Sequence, residues 1–145
     1  MSLLATEESP LLIVFVGLPR SGKTTLARKM SREECIPMVN PDSIRLALHG
    51  QQFYGPAEPW VWAMARTMAE SLFLAGHQVV ILDATNTTKE RRSAWISKKW
   101  KTVFRLVDTT VDVCLERTTD AGLRAAIQRM ATNWEPLGPD EARMF

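Results

Sequence analysis

The chain has 145 residues, 46% of them apolar and 23% charged, and a formal charge of +2. That is the balance of one globular domain with a core of its own, and so weak a charge makes no case for nucleic acid by itself. Two isolated cysteines, Cys35 and Cys114, have neither a C-x-x-C pair nor metal spacing, which excludes a disulfide framework.

Residues 1–10 carry Glu7 and Glu8 and read as a flexible tail. The apolar run behind them, Leu11–Val16, is too short for a signal sequence or a membrane span and right for a buried strand. The thiols are expected to be reduced and partly buried, in a cytoplasmic protein with no membrane and no disulfide partner. Straight after the strand comes Gly17-Leu18-Pro19-Arg20-Ser21-Gly22-Lys23-Thr24, then Thr25-Leu26-Ala27-Arg28-Lys29-Met30, which reads as a helix. G-x-x-x-x-G-K-[ST] between strand and helix is a phosphate-binding loop. Its glycines permit a tight turn that aims successive N–H groups at phosphate oxygens, and the helix N-terminus adds partial positive charge. Lys23 supplies a point charge for the β- and γ-phosphates, and the Thr24 hydroxyl is placed for Mg²⁺. Residues 17–25 are therefore the expected nucleoside triphosphate site. A glycine-rich turn with a surface lysine is the plain alternative.

Residues 36–39 read as a second strand, and Asn40-Pro41-Asp42-Ser43 as a turn in which Asp42 or Ser43 caps a helix over 44–49. Residues 50–59 read as a loop. Over 60–75, Val61, Met64, Ala65, Met68, Leu72 and Ala75 recur at threes and fours, which predicts an amphipathic helix closed by Gly76. Val79–Leu82 is a third buried strand ending at Asp83. Thr87 or Thr88 then caps a predicted helix reaching residue 100, with Trp95, Ile96 and Trp100 on its inner face. Residues 103–107 make a fourth strand, 111–117 a short helix, and 123–134 a last helix stopped by Pro136, Gly138 and Pro139. The five tryptophans read as core rather than as a stacking platform. The locally basic segment 89–105 reads as a solvated face before it reads as a nucleic-acid patch.

Alternating strands and helices predict a single α/β domain over residues 1–145, with a parallel sheet and right-handed crossovers. Ligands of such sheets lie at the carboxyl ends of the strands, so Lys23, Asp42 and Asp83 should face one crevice. Asp83, ending an apolar strand like a Walker B aspartate, joins Thr24 as a candidate metal ligand. Asp42 is a candidate general base for an acceptor hydroxyl, and Arg45, one turn on, a candidate clamp for an acceptor anion. A plain cap and a surface charge are the competing readings of these two.

Taken in order, several runs resemble the polynucleotide 5′-hydroxyl kinase family. They are Gly17-x-Pro-x-Ser-Gly-Lys-Thr-Thr, Asn40-Pro41-Asp42-Ser43-Ile44-Arg45, Asp83-Ala84-Thr85-Asn86 with Arg91-Arg92, Cys114-Leu115-Glu116-Arg117, and Arg129-Met130 with Trp134-Glu135-Pro136. This is the kinase domain of polynucleotide kinase–phosphatases, among the small P-loop kinases that include zeta-toxin-like enzymes. The resemblance runs over residues 11–136. It implies a three-layer P-loop NTPase sandwich with a parallel sheet of four or five strands and a short lid, using ATP and Mg²⁺. It further implies that Asp42 takes the proton of the acceptor 5′-hydroxyl and Arg45 holds the acceptor phosphate. Asp83, with Asn86 and Arg92, would shape the acceptor side, and Arg117 would lie against the nucleotide base. Two departures stand out. The family's lid arginine, which stabilises the transferred phosphoryl group, has no counterpart at Asp120-Ala121-Gly122, where Arg124 is the substitute. A final strand is expected to begin only around Phe145.

These readings together predict transfer of the ATP γ-phosphoryl group to a hydroxyl, with nucleic-acid 5′ ends as the acceptor. A small-molecule kinase acting on a nucleoside, sugar or antibiotic is one alternative. An ATP-binding module with little catalysis, motivated by the short lid, is the other.

Overall fold

Leu11–Val16 forms the central strand, β1, and every residue from Leu12 onward in it is buried. A strand covered on both faces needs no polar alternation, which is why its sequence is an unbroken apolar run. The structure, a computed structural model, describes residues 9–50 and 54–144. β2 is Met38–Val39, β3 Val79–Leu82 and β4 Lys101–Leu106, and the sheet order is β2-β3-β1-β4 with every pair parallel. Leu11 stands beside both Val79 and Lys101, so the carboxyl ends of the strands share one edge.

Helix α1, Lys23–Glu34, covers one face of the sheet, where Leu26, Ala27 and Met30 pack with Ile13, Phe15 and Ile81. The helices α2, Pro41–His49, and α3, Glu58–Leu74, cover the other. There Ile44, Val61, Ala65 and Ala69 join Leu12, Val14, Val16, Val80 and Leu82 in the larger core. The three-layer α/β sandwich is as expected. Beyond it, α4 is Lys89–Ser93, α5 is Val111–Glu116 and α6 is Ala121–Thr132. The last two close around Leu18, Cys114 and Ile127 as a small lid core. No described helix is long and apolar enough to cross a membrane.

Several elements differ from the sequence reading. Asn40, not Asp42 or Ser43, caps α2, its side chain accepting from the Ser43 N–H, and Pro41 then starts the helix, the position where its missing N–H costs nothing. The loop expected over 50–59 is partly outside the described residues, 51–53. A 3₁₀ turn at Gly55–Ala57 then leads into α3, with Pro59 in its first turn. On α3 the buried stripe is Val61, Ala65 and Ala69, small residues four apart that let the helix approach the sheet. Met64 and Met68 face solvent.

The helix expected to reach residue 100 ends at Ser93. The Trp95 carbonyl instead accepts from Trp100 Nε1 at 2.9 Å and from Thr102 Oγ1 at 2.8 Å, which folds the segment into tight turns. Trp95 and Trp100 are core as expected, while Ile96 is exposed and Trp60 is 69% exposed. Cys114 is buried but Cys35, at the end of α1, is exposed rather than partly buried. Of the expected tail, only residues 9–10 are described, and the Pro10 carbonyl accepts from Lys101 N–H at 2.8 Å. At the outer edge of β4, Phe104 exchanges hydrogen bonds with Ala142 and Met144 in a parallel bridge, the place of the expected fifth strand.

Candidate active site

β1 delivers the chain to Gly17 at the carboxyl edge, and the phosphate loop is shaped there by backbone. A Cβ on Gly17 would lie 2.8 Å from Ser21 Oγ and 3.0 Å from the Val107 carbonyl, so close approach, not a special dihedral, requires glycine. Gly22 is required for the other reason, its φ of 92°. Arg20 also sits at positive φ, 65°, a conformation costing a non-glycine residue about 1 kcal/mol or more. Its neighbours hold it there. Arg117 Nη1 donates to the Arg20 carbonyl at 2.9 Å, and Thr109 Oγ1 to the Ser21 carbonyl at 2.7 Å. No side chain caps α1 and no acid stands in its first turn, so the N–H groups there stay open to an anion.

Lys23 is buried and places Nζ 3.2 Å from Asp83 Oδ1. The other oxygen of Asp83 accepts from Asn40 Nδ2 at 2.9 Å. Asn40 thus joins two jobs, holding the β3 aspartate with its amide nitrogen and capping α2 with its oxygen. Because Asn40 is the cap, Asp42 is free of that role. The Asp42 side chain is 61% exposed at the first turn of α2, with Arg45 Nη1 at 2.6 Å from it. Arg45 is gripped in turn by Glu58, whose two oxygens accept from Nε at 2.8 Å and Nη2 at 2.7 Å.

Glu58 was not legible in the sequence. It lies thirteen residues beyond Arg45, and the only signal is an acid opening a helix. Burial works against the Arg45 charge, but Glu58 and then Asp42 hold its pKa above the ordinary arginine value. The Arg45 hydrogen bonds hold Glu58 below the ordinary carboxylate value, outweighing burial. Arg45 is therefore not an unattached clamp, although one N–H on each of Nη1 and Nη2 remains for a ligand.

Of the acceptor-side residues read after Asp83, Asn86 lines the crevice and Arg92 does not. Arg92 is fully buried. It donates to Glu141 at 2.6 and 3.1 Å, to the Asn86 carbonyl at 3.1 Å and to the Pro136 carbonyl at 3.3 Å. It brackets the loop after β3 to the segment after α6, and its expected place among acceptor ligands is corrected accordingly. Burial of Glu141 would raise its pKa, yet hydrogen bonds from Arg92 and the Gly138 N–H hold it below the ordinary value. Asn86, at φ 47°, donates from Nδ2 to the Phe15 carbonyl at 3.0 Å and leaves its buried Oδ1 without a partner.

Arg124 is likewise corrected. Its Nη1 donates to the carbonyls of Leu115 and Thr118, closing the end of α5, and it is absent from the crevice lining. The lid arginines that do line the crevice are Arg117 and Arg129. In the sequence Arg129 carries no role beyond its place in the Arg129-Met130 run.

The crevice measures about 1090 Å³ and takes in the phosphate loop, Thr24, Thr25, Asp42, Asp83 and the lid. Seven arginine and lysine side chains line it against the carboxylates of Asp42, Glu58 and Asp83. A chain with a formal charge of only +2 has gathered its positive charge here. Such a lining concentrates polyanionic ligands.

The chain matches the AAA domain family over residues 12–133 and belongs to it. No curated protein matches it. Among solved structures, a chain of the Pnkp1/Rnl/Hen1 RNA repair complex is 27% identical, with a TM-score of 0.75 over 87% of this chain and 44% of that one. This chain thus spans less than half the length of that relative. A gluconokinase from Sinorhizobium meliloti 1021 is 17% identical, TM-score 0.63, over 95% and 82% of the two chains. The Mycobacterium tuberculosis APS kinase CysC, in complex with AMPPNP and APS, is 23% identical, TM-score 0.63, over 94% and 88%. The last two are likenesses of fold, that of small P-loop kinases.

Proposed function

We propose that this chain transfers the γ-phosphoryl group of ATP to a hydroxyl, and that its acceptor is the 5′-hydroxyl end of a polynucleotide. The observation that carries the reading is one crevice holding the phosphate loop with Lys23, the Asp42 carboxylate, and an excess of guanidinium groups. A phosphorylated acceptor chain complements that charge better than a neutral sugar does. The likeness to a chain of an RNA repair complex supports the same choice. Two unpaired thiols fit a reducing, cytoplasmic setting.

The residues divide the work as follows. The uncapped backbone N–H groups where the loop enters α1 receive the β- and γ-phosphates, and Lys23 exchanges Asp83 for phosphate oxygens. Thr24 and Asp83 are the side chains that would hold Mg²⁺. No group of three histidine, cysteine or acidic residues able to hold a metal exists among the described residues, which suits an ion that keeps its waters and shares the phosphates. The chemistry that ion supplies is neutralisation of charge on the β- and γ-oxygens. Asp42 takes the proton of the attacking hydroxyl, and Arg45, fixed by Glu58, orients it and offers its remaining N–H groups to the acceptor phosphate. Arg129 stands in for the absent lid arginine beside the transferred group, and Arg117 braces the loop on the nucleotide side.

One observation favours a second reading. Arg124 is committed to the lid's own carbonyls, so if Arg129 does not reach the reacting phosphate the chain binds ATP with little catalysis. The test uses ATP labelled in its γ-phosphate with Mg²⁺, and separately a 5′-hydroxyl oligonucleotide, a nucleoside and a sugar. Label on the oligonucleotide is the expected result. Label only on a small molecule would replace the acceptor, and ATP binding without label anywhere would favour the binding module.

A further inference from the structure

We infer that the crevice continues into a shelf for an unpaired nucleobase, so that the acceptor is a single strand whose base is splayed out beside α3. The inference rests on the polynucleotide reading and adds where the strand goes. A second hollow, of about 310 Å³, adjoins the crevice and shares two residues with it, Trp62 and Arg91. Its other walls are Pro59, Ala63, Ala94, Trp95 and Arg66. At that volume it stands at the small end of ligand-sized pockets, and its walls are mostly apolar or aromatic, unlike the crevice.

The two shared residues are arranged for a strand passing between the spaces. The Arg91 guanidinium lies 4.9 Å from the centre of the Trp62 ring, and that of Arg45 lies 5.7 Å from the same ring. Trp62 thus gathers two cations at the boundary, where a phosphate linking two nucleotides would sit. Arg45 continues from there to Asp42, the proposed base. Inside the hollow, Trp62 and Trp95 meet as a corner, ring centres 6.4 Å apart and planes at 59°. Trp95 is nearly fully buried and backs the half-buried Trp62, so the Trp62 ring, the aromatic wall open to the hollow, is held in place. An aromatic wall with guanidinium at its mouth is the general solution for holding a base without reading its sequence. A base inside a duplex cannot enter it, whereas an unpaired one can.

Ala63 is exposed on α3 and lies outside the crevice lining, so Ala63→Phe fills the shelf and leaves the catalytic crevice alone. Two readouts serve: fluorescence anisotropy of a labelled single-stranded 5′-hydroxyl hexamer without ATP, and transfer kinetics on acceptors of one, two and six nucleotides. The expected result for the native chain is a KM falling about tenfold or more between one nucleotide and two. Ala63→Phe should abolish that gain, weaken hexamer binding by a similar factor, and leave the single-nucleotide KM unchanged. Arg91→Ala should weaken hexamer binding and lower its salt dependence by about one phosphate contact. Equal KM values for one and two nucleotides, or a blunt duplex bound as well as the hexamer, would overturn the shelf while leaving 5′-hydroxyl phosphorylation standing. Absence of label on every polynucleotide length would overturn the function reading and the shelf with it.

Discussion

The two sides of the crevice are built by different means. On the phosphate side one continuous run, residues 17–24, is shaped mainly through backbone carbonyls: Gly17 N–H to Thr85, Ser21 N–H to Leu18, Arg117 to Arg20. Its ion pair is that of Lys23 with Asp83. On the other side the groups are held by charged or amide side chains from elsewhere: Asp83 by Asn40, Arg45 by Glu58, and, behind the crevice, the bracing Arg92 by Glu141. A backbone cradle answers to steric fit and ignores pH. A set of ion pairs answers to single substitutions and to protonation.

The largest expected effects come from setting one residue of each side against the other. Lys23→Ala should cut phosphoryl transfer by about 10³-fold and weaken ATP binding with it, since the charge serves ground state and transition state alike. Asp42→Asn should cut transfer by about 10²- to 10⁴-fold, the range of a general base, with ATP affinity unchanged. Isothermal titration with ATP beside single-turnover transfer separates the two. If Asp42→Asn lost ATP affinity, the division between the sides would collapse, and if it kept its rate, Asp42 would have no part in proton transfer.

Next in size is Arg92, where the comparison predicts a loss of stability rather than of chemistry. Arg92→Met leaves the largely covered Glu141 carboxylate without its cation, with only the Gly138 N–H still donating to it, and frees the carbonyls of Asn86 and Pro136. Removing one partner of such a pair costs about 3–5 kcal/mol. The thermal midpoint should fall by about 10–15 °C or the protein fail to fold, and Glu141→Gln should give a milder version. The acceptor KM of Glu141→Gln, measured below its midpoint, should match the native value. A raised KM with an unchanged midpoint would return Arg92 to the acceptor site.

The same division decides what could be read from sequence. β1, β3 and the phosphate loop were legible because each is a local pattern: an apolar run, or a spacing of glycines, lysine and threonine. The place of Asp42 and Asp83 on one crevice followed from the rule that parallel strands deliver ligands at one edge. Glu58 and Glu141 were invisible, because nothing local to either names the arginine it pairs with, 13 and 49 residues away. Arg92 was misread for the same reason. In sequence it follows Arg91, but one side chain goes into the core and the other over Trp62. The turn after Ser93 escaped because two buried donors, Trp100 and Thr102, compete for the Trp95 carbonyl that a continued helix would use.

The finest discrimination concerns Glu58, which the comparison makes a positioning residue of the acceptor side with no bearing on the phosphate side. Its pKa is held below the ordinary value of 4.5 chiefly by hydrogen bonds from Arg45, so the folded state binds its proton less readily than the unfolded chain. The stability this pair contributes is therefore fully present above that ordinary value and is lost as pH falls through the lower, folded one. Glu58→Gln should flatten this part of the acid limb of stability. At neutral pH it should raise the acceptor KM several-fold, because the Arg45 plane is no longer fixed at two edges, with ATP binding unchanged. Glu58→Asp, which keeps the charge on a shorter arm, should fall between. Denaturant unfolding from pH 3 to 7 beside acceptor kinetics at pH 7 reads both consequences. An acid limb as steep as the native one in Glu58→Gln would place the titrating charge elsewhere, and an unchanged KM would mean that Arg45 holds its orientation through Asp42 and Trp62 alone.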